Sequence, residues 1–333
     1  MRFLILAILI LAGPAHAQAP FTFQTPLTIV ISPDFPEPQS PVTARLTSPN
    51  LDLKGAAIEW IVDGEEAGAG ASISLATGRA GSTVSIQATA VIDGIAYRTE
   101  RSIAPASVDV VWSASTFTPP LFPGRARATP GSRVRLEALP RFVSGSQTIA
   151  ASELFYTWYR DDALLEEQSG KGRSSIELEA PLLFSNDIIA VEVATQDRRL
   201  AARGIARIAA TDPHLVLYEN HPIFGLRTHA ALGTSIIPDL ETTVTAVPFY
   251  AAIPPRDGSL LYEWTVNGSR ITADANHPNS LTINAANSSG KAAISLFVSQ
   301  ESNIFFGARG RWDLTLRSGT DITDPFFSPR TSL

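Results

Sequence analysis

Ile58-Glu59-Trp60-Ile61-Val62-Asp63-Gly64, Tyr156-Thr157-Trp158-Tyr159-Arg160-Asp161-Asp162 and Tyr262-Glu263-Trp264-Thr265-Val266-Asn267-Gly268 are three versions of one stretch. In each, a tryptophan sits near the end of a strand-like run, just before a turn. The three tryptophans lie about 100 residues apart, the length of one β-sandwich with a buried Trp on its third strand. Successive side chains of a strand point to opposite faces, so Ile58, Trp60 and Val62 share one face, as do Leu260, Tyr262, Trp264 and Val266. Trp60, Trp158 and Trp264 are therefore expected to hold cores and not to serve as sugar-stacking platforms. Removing one would cost about 3–5 kcal/mol.

Outward from each Trp the same order of elements follows. After Trp60 come Ser72-Ile73-Ser74-Leu75, a strand over 83–92, an Asp93-Gly94 turn and a partner strand over 95–103. After Trp158 come Ser174-Ser175-Ile176-Glu177-Leu178, then 188–195, a turn over 196–199 and 200–208. After Trp264 come Ser280-Leu281-Thr282-Ile283, then 292–299, a turn near 301–303 and 304–316. Each unit closes with a hairpin that supplies the last two strands of a sandwich. Short alternating runs parted by Gly, Pro, Asn and Ser, with 24 prolines in 333 residues, make the chain all-β. The expected division is a signal peptide over 1–17, sandwiches over 18–105, 106–211 and 212–317, and a loosely ordered tail over 318–333. The linkers, Ala104-Pro105 and Thr211-Asp212-Pro213, are short enough to hold the units in a semi-rigid row. A first strand interrupted by a Pro-rich kink, switching from one sheet edge to the other, would fit the opening of every unit.

The amino terminus carries Arg2, an apolar run from Phe3 to Ala12, and Ala15-His16-Ala17, a small-x-small pattern that a signal peptidase accepts. Cleavage after Ala17 leaves no stable membrane anchor. The chain has no cysteine, which removes disulfides, thiolate metal sites and Cys nucleophiles at once and fits export by a bacterium to periplasm, cell wall or exterior. A net charge of −6 with scattered basic residues argues against nucleic acid as a partner.

Candidate contact residues lie outside the repeated Trp position. Trp112 and Trp312 are better candidates for exposure than the three core tryptophans, although packing is expected of them over binding. Two loops, Pro119-Pro120-Leu121-Phe122-Pro123-Gly124 and Pro222-Ile223-Phe224-Gly225, place Phe122 and Phe224 at apolar tips. Plugs against the preceding domain are the first expectation for these tips, and docking surfaces for a partner the second. His214 and His221 stand seven apart with no acidic residue at a useful offset, so no metal site is expected. Asp63-Gly64-Glu65-Glu66 and Asp161-Asp162 lack the alternating pattern of calcium loops and are expected to be solvated turns. No Gly-x-Ser-x-Gly elbow and no cofactor fingerprint occurs, so neither enzyme activity nor a cofactor is expected.

At its Trp-x-x-Asp-Gly segments the chain resembles bacterial immunoglobulin-like and PKD-like repeat domains of exported proteins. Trp60-Ile61-Val62-Asp63-Gly64 keeps the outline of the PKD Trp-x-Phe-Gly-Asp-Gly motif, and Trp158-Tyr159-Arg160-Asp161-Asp162 loses the glycine. The resemblance implies a tandem array of three immunoglobulin-like β-sandwiches used for interaction, adhesion or spacing, with no catalytic residues. The expected partner is an envelope or appendage protein, or a glycan held by exposed aromatics.

Overall fold

The computed structural model describes residues 26–120, 122–182, 185–236, 241–253, 258–301 and 303–316. The expected signal peptide and tail lie outside the described residues. Two compact units divide the described residues: those up to Asp34 with Pro41–Ala76 and Val84–Ile103 form one, and Phe35–Ser40, Thr77–Thr83 and those from Ala104 onward form the other. Strands dominate both, and the helices among the described residues are two single 3-10 turns, Ala151–Glu153 and Glu166–Gln168.

The first unit is one β-sandwich. Thr28–Ser32, Pro41–Thr47 and Ser72–Ala76 form one antiparallel sheet; Glu65–Ala69, Ala57–Val62, Val84–Ile92 and Ile95–Ile103 form the other. Val42, Ala44 and Leu46 alternate inward from one sheet against Trp60, Ile86 and Ala88 of the other. This period-two burial is what the sequence pattern demands of strands with one wet face.

Two further sandwiches make up the second unit. The earlier packs Ser175–Glu179, Arg133–Arg141 and Ser107–Ala114 against Ala163–Leu164, Phe155–Arg160, Asn186–Ala194 and Ala201–Ala209, around Trp158, Leu136, Val134 and Ile189. The later packs Gly225–Ala231, His214–His221, Glu241–Phe249 and Ser280–Asn284 against Ser235–Ile236, Asn303–Leu316, Gly290–Gln300, Leu260–Val266 and Ser269–Ile271, around Trp264, Leu217, Val244 and Leu296. The chain is thus three immunoglobulin-like β-sandwiches in tandem, each closing on a long antiparallel hairpin.

The expected edge switch occurs in the third sandwich alone among the described residues. There Ser235–Ile236 leaves the first sheet and pairs in parallel with Asp313 and Leu314 of the last strand. In the second, residues 115–132 contain no described strand. They return to their own sandwich by Ser115 N–H to Arg133 O at 2.8 Å and receive Thr211 N–H on Ala128 O at 2.8 Å.

Each repeated Trp is held the same way. Its ring is almost fully buried, and its indole N–H donates to a main-chain oxygen: Trp60 to Gly70 at 2.7 Å, Trp158 to Arg173 at 2.8 Å, Trp264 to Pro278 at 2.9 Å. A buried indole needs such a partner, because an unmade bond costs about 1–3 kcal/mol. Three residues further on, the turn is clamped by an Asx side chain. Asp63, Asp161 and Asn267 have φ of 52°, 49° and 50°, and their Oδ1 atoms accept the N–H of Ser85, Ile188 and Ala293 at 2.8, 2.9 and 2.9 Å. The residue after each is also left-handed, as a two-residue hairpin turn requires. Glycine does this without strain at positions 64 and 268; Asp162 does it with φ of 64° at a cost of about 1 kcal/mol. The acidic turn fragments are therefore hairpin clamps.

Candidate functional site

The four candidate contact residues have four different surroundings. Trp312 is buried in the third core, 5 % exposed. The cause is plain: along Asn303–Leu316 the inward positions are Phe306, Ala308, Trp312 and Leu314, so Trp312 is in phase with the core face. Trp112 is half-buried against the second core, and the Arg125 guanidinium lies 4.4 Å from its ring centroid. One indole face is thus covered by a cation, not open to a sugar.

Phe122 is a plug, but for the sandwich that follows, not the one that precedes. Its ring meets Phe249 edge-on at 5.4 Å and Tyr250 at 6.4 Å. These rings join Tyr218 and Val247 in a small apolar cluster flanked by Phe117 and Val216. Edge-to-face pairs of this kind are worth about 0.5–1.5 kcal/mol each beyond the area they bury.

Polar bonds surround the cluster. Phe117 N–H donates to Ala251 O and Tyr250 N–H to Phe117 O, both at 2.7 Å, so the main chains of the two sandwiches pair across the joint. The buried Thr129 hydroxyl donates to Tyr250 O at 2.8 Å, and Asn303 Nδ2 donates to Pro130 O at 2.9 Å. Tyr250 takes φ of 62°, a strained value for a bulky residue, and bonds on both its N–H and its carbonyl hold it there. His214 completes the joint, its ring stacked on Phe249 at 5.1 Å and 15°. Burial, with the nearby Arg127 charge second, pushes its pKa below the usual 6.5.

Phe224 is the reverse case. It sits on the turn between His214–His221 and Gly225–Ala231, 77 % exposed, beside Ile223 at 81 %. His214 pairs with Phe249 at the joint and His221 ends the same strand, about 23 Å along it, so the tip points away from the joint. The turn is pinned from below. His221 Nδ1 accepts the N–H of Ile223 at 3.1 Å and of Phe224 at 3.3 Å, and the two rings approach to 4.8 Å. His214 and His221 are thereby occupied at opposite ends of a strand, and among the described residues no group of three or more His, Cys, Asp or Glu is placed to hold a metal.

Sequence reasoning missed Phe117, Thr129, Tyr250 and Asn303. A usable signal for one of them exists: Ala246-Val247-Pro248 runs on into Phe249-Tyr250, two large rings at a strand end where a turn should be polar.

No protein-family model and no curated protein matches the chain. Several solved structures do. The three N-terminal domains of the bacteriophage RB49 highly immunogenic outer capsid protein are 11% identical, with 88% of this chain and 98% of that one covered and a TM-score of 0.26. The central fibronectin-III array of RIM-binding protein is 13% identical over 84% of this chain and 92% of its own, with a TM-score of 0.28. A Bacteroides ovatus mixed-linkage glucan utilization locus protein, SGBP-B, in complex with a heptasaccharide, is 10% identical over 88% and 70%, with a TM-score of 0.23. No residue-by-residue correspondence follows at these values.

Proposed function

We propose that the protein is an exported, non-enzymatic interaction module of a bacterial envelope or surface appendage, a scaffold or adhesin built from PKD-like sandwiches. The observation that supports this reading is the pair of Pro-Phe loops. Phe122, at one end of the second sandwich, is seated on the aromatic turn of the next; Phe224, on the corresponding loop of the third, is presented to solvent with Ile223. An exposed apolar tip pinned by its own histidine is pre-organised for contact, since little order has to be gained on binding. The partner that fits is a protein surface with an aromatic socket like that of Phe249 and Tyr250. Among the described residues, no helix is long and apolar enough to cross a membrane.

A photo-crosslinking residue at position 223, in cells of the source organism, tests this. One discrete envelope adduct, lost when Phe224→Asp is added while the melting temperature is unchanged, is the expected result. Absence of any adduct, or an adduct indifferent to Phe224, defeats the proposal. Of the four candidate aromatics, only Phe224 is left open to a glycan, because Trp312 is buried, Trp112 is covered and Phe122 is seated in the joint.

A further inference from the structure

A cavity of about 320 Å³ opens beside the joint of the second and third sandwiches. Its chemistry is unlike the rest of the molecule. Arg125, Arg127 and Arg207 line it together with Trp112, Phe122 and Tyr250, and no aspartate or glutamate does. The chain as a whole carries a net charge of −6, so three guanidiniums around one small space invert the local field.

These arginines are also unspent. Elsewhere Arg133, Arg141, Arg160, Arg203, Arg227 and Arg270 each reach a carboxylate within 4.0 Å, while exposed arginines such as Arg45, Arg79 and Arg135 stand apart from any other such unpaired group. Among the described residues, the guanidiniums of Arg125, Arg127 and Arg207 have neither an ion-pair partner nor a hydrogen-bond acceptor. What holds two of them is the flat face of a ring: Arg125 lies over Trp112 at 4.4 Å and Arg127 over Tyr250 at 6.0 Å. A guanidinium held over a ring by its charge spends no N–H on a hydrogen bond there, so its donors stay available. Planar donors arranged this way match the two oxygens of a carboxylate or the oxygens of a phosphate. His214 registers the same field, since Arg127 disfavours its charged form.

We propose that this cavity binds a small ligand carrying a carboxylate or phosphate group, about the size of one sugar ring, with Arg125, Arg127 and Arg207 holding the oxyanion. The volume is at the lower end for ligand pockets, which run from about 300 Å³ upward. Tyr250 comes from the third sandwich and the arginines from the second, so a bound anion ties the two together. The site is independent of the Phe224 tip, which lies at the other end of the third sandwich.

The purified full chain, titrated calorimetrically and by Trp emission with glucuronate, glucose 6-phosphate, inorganic phosphate and neutral glucose, tests the proposal. Binding of at least one of the three anions, none of glucose, and a rise in melting temperature on saturation are expected. Glucuronate against the two phosphates then tells which oxyanion is the natural one. Arg207→Gln and Arg125→Gln should each weaken the binding anion about tenfold or more, since each removes a charge-assisted bond. Arg203→Gln, on the same strand but outside the cavity, should leave binding unchanged. Trp112→Phe should remove the emission change while the heat signal persists. Glucose binding as well as the acids, affinities unmoved in the folded Arg125→Gln/Arg207→Gln double variant, or no anion binding tighter than about 10 mM would each overturn the assignment.

Discussion

Two loops of nearly the same composition, 119–124 and 222–225, do opposite things. In the first, Phe122 is packed between Phe249 and Tyr250; in the second, Phe224 is 77 % exposed. Neither loop's own residues explain the difference. A proline, a large apolar residue and a phenylalanine occur in both, and a glycine follows each. The neighbour seats Phe122: the second sandwich is followed by one that offers two rings and a strained turn. A repeat therefore copies a connector along with a core, and the same connector can be seated or presented.

The sharpest way to break the comparison is Phe122→Ala. Losing two edge-on ring contacts and a half-buried side chain should cost the joint about 2–3 kcal/mol, somewhat less than a fully buried phenylalanine. Differential scanning calorimetry of the full chain should then show the second and third sandwiches melting separately, whereas in the natural protein they are expected to melt together. A single transition at the natural temperature would mean the rings add nothing.

Asn303→Ala removes the bond to Pro130 O and should lower joint stability by about 1 kcal/mol, read as faster protease cleavage near Thr211-Asp212. The pH dependence should be smaller again. The His214 pKa is lowered by folding, so the stabilisation is complete above the ordinary value of 6.5 and is lost as the pH falls through the lower folded value. Melting at pH 7.5 and at about pH 5 should differ more for the natural chain than for His214→Phe, which keeps the stack on Phe249 but cannot charge. Equal pH dependence in both proteins would remove His214 from the account.

At the far end of the scale, Phe224→Ser should leave folding stability within about 0.5 kcal/mol, because an exposed side chain has little to lose. A large loss would show that the tip is structural after all and would erase the contrast with Phe122.

Much of the fold was legible because strand periodicity is local. Trp60, Trp158 and Trp264 announce their burial through the residues two positions away, and the closing hairpins follow from alternation and turn chemistry. Trp312 was equally legible, since Phe306, Ala308 and Leu314 keep its phase. The fates of Phe122 and Phe224 were not legible, because a contact with Tyr250 more than a hundred residues away leaves no trace in the loop. The arginine cavity was hidden for the same reason: Arg125 and Arg127 sit on an unpaired segment and Arg207 on a late strand, and only folding brings their charges to one place. Composition had spread those charges evenly over an acidic chain.

The clamped turn after each Trp has a bearing on chemical ageing. Asn267-Gly268 is the kind of pair whose side-chain amide hydrolyses most readily, and in this protein it occupies a conspicuous hairpin. Yet the first and second sandwiches already carry aspartate at the matching place, and Asp63 and Asp161 accept the same neighbouring N–H through Oδ1 that Asn267 does. Conversion of Asn267 to aspartate keeps that acceptor oxygen and leaves the left-handed turn to the glycine behind it. An aged third domain with aspartate there would carry one more negative charge and the same clamp as the first domain, whereas isoaspartate, the other product of the succinimide, would insert a methylene into the main chain and break it.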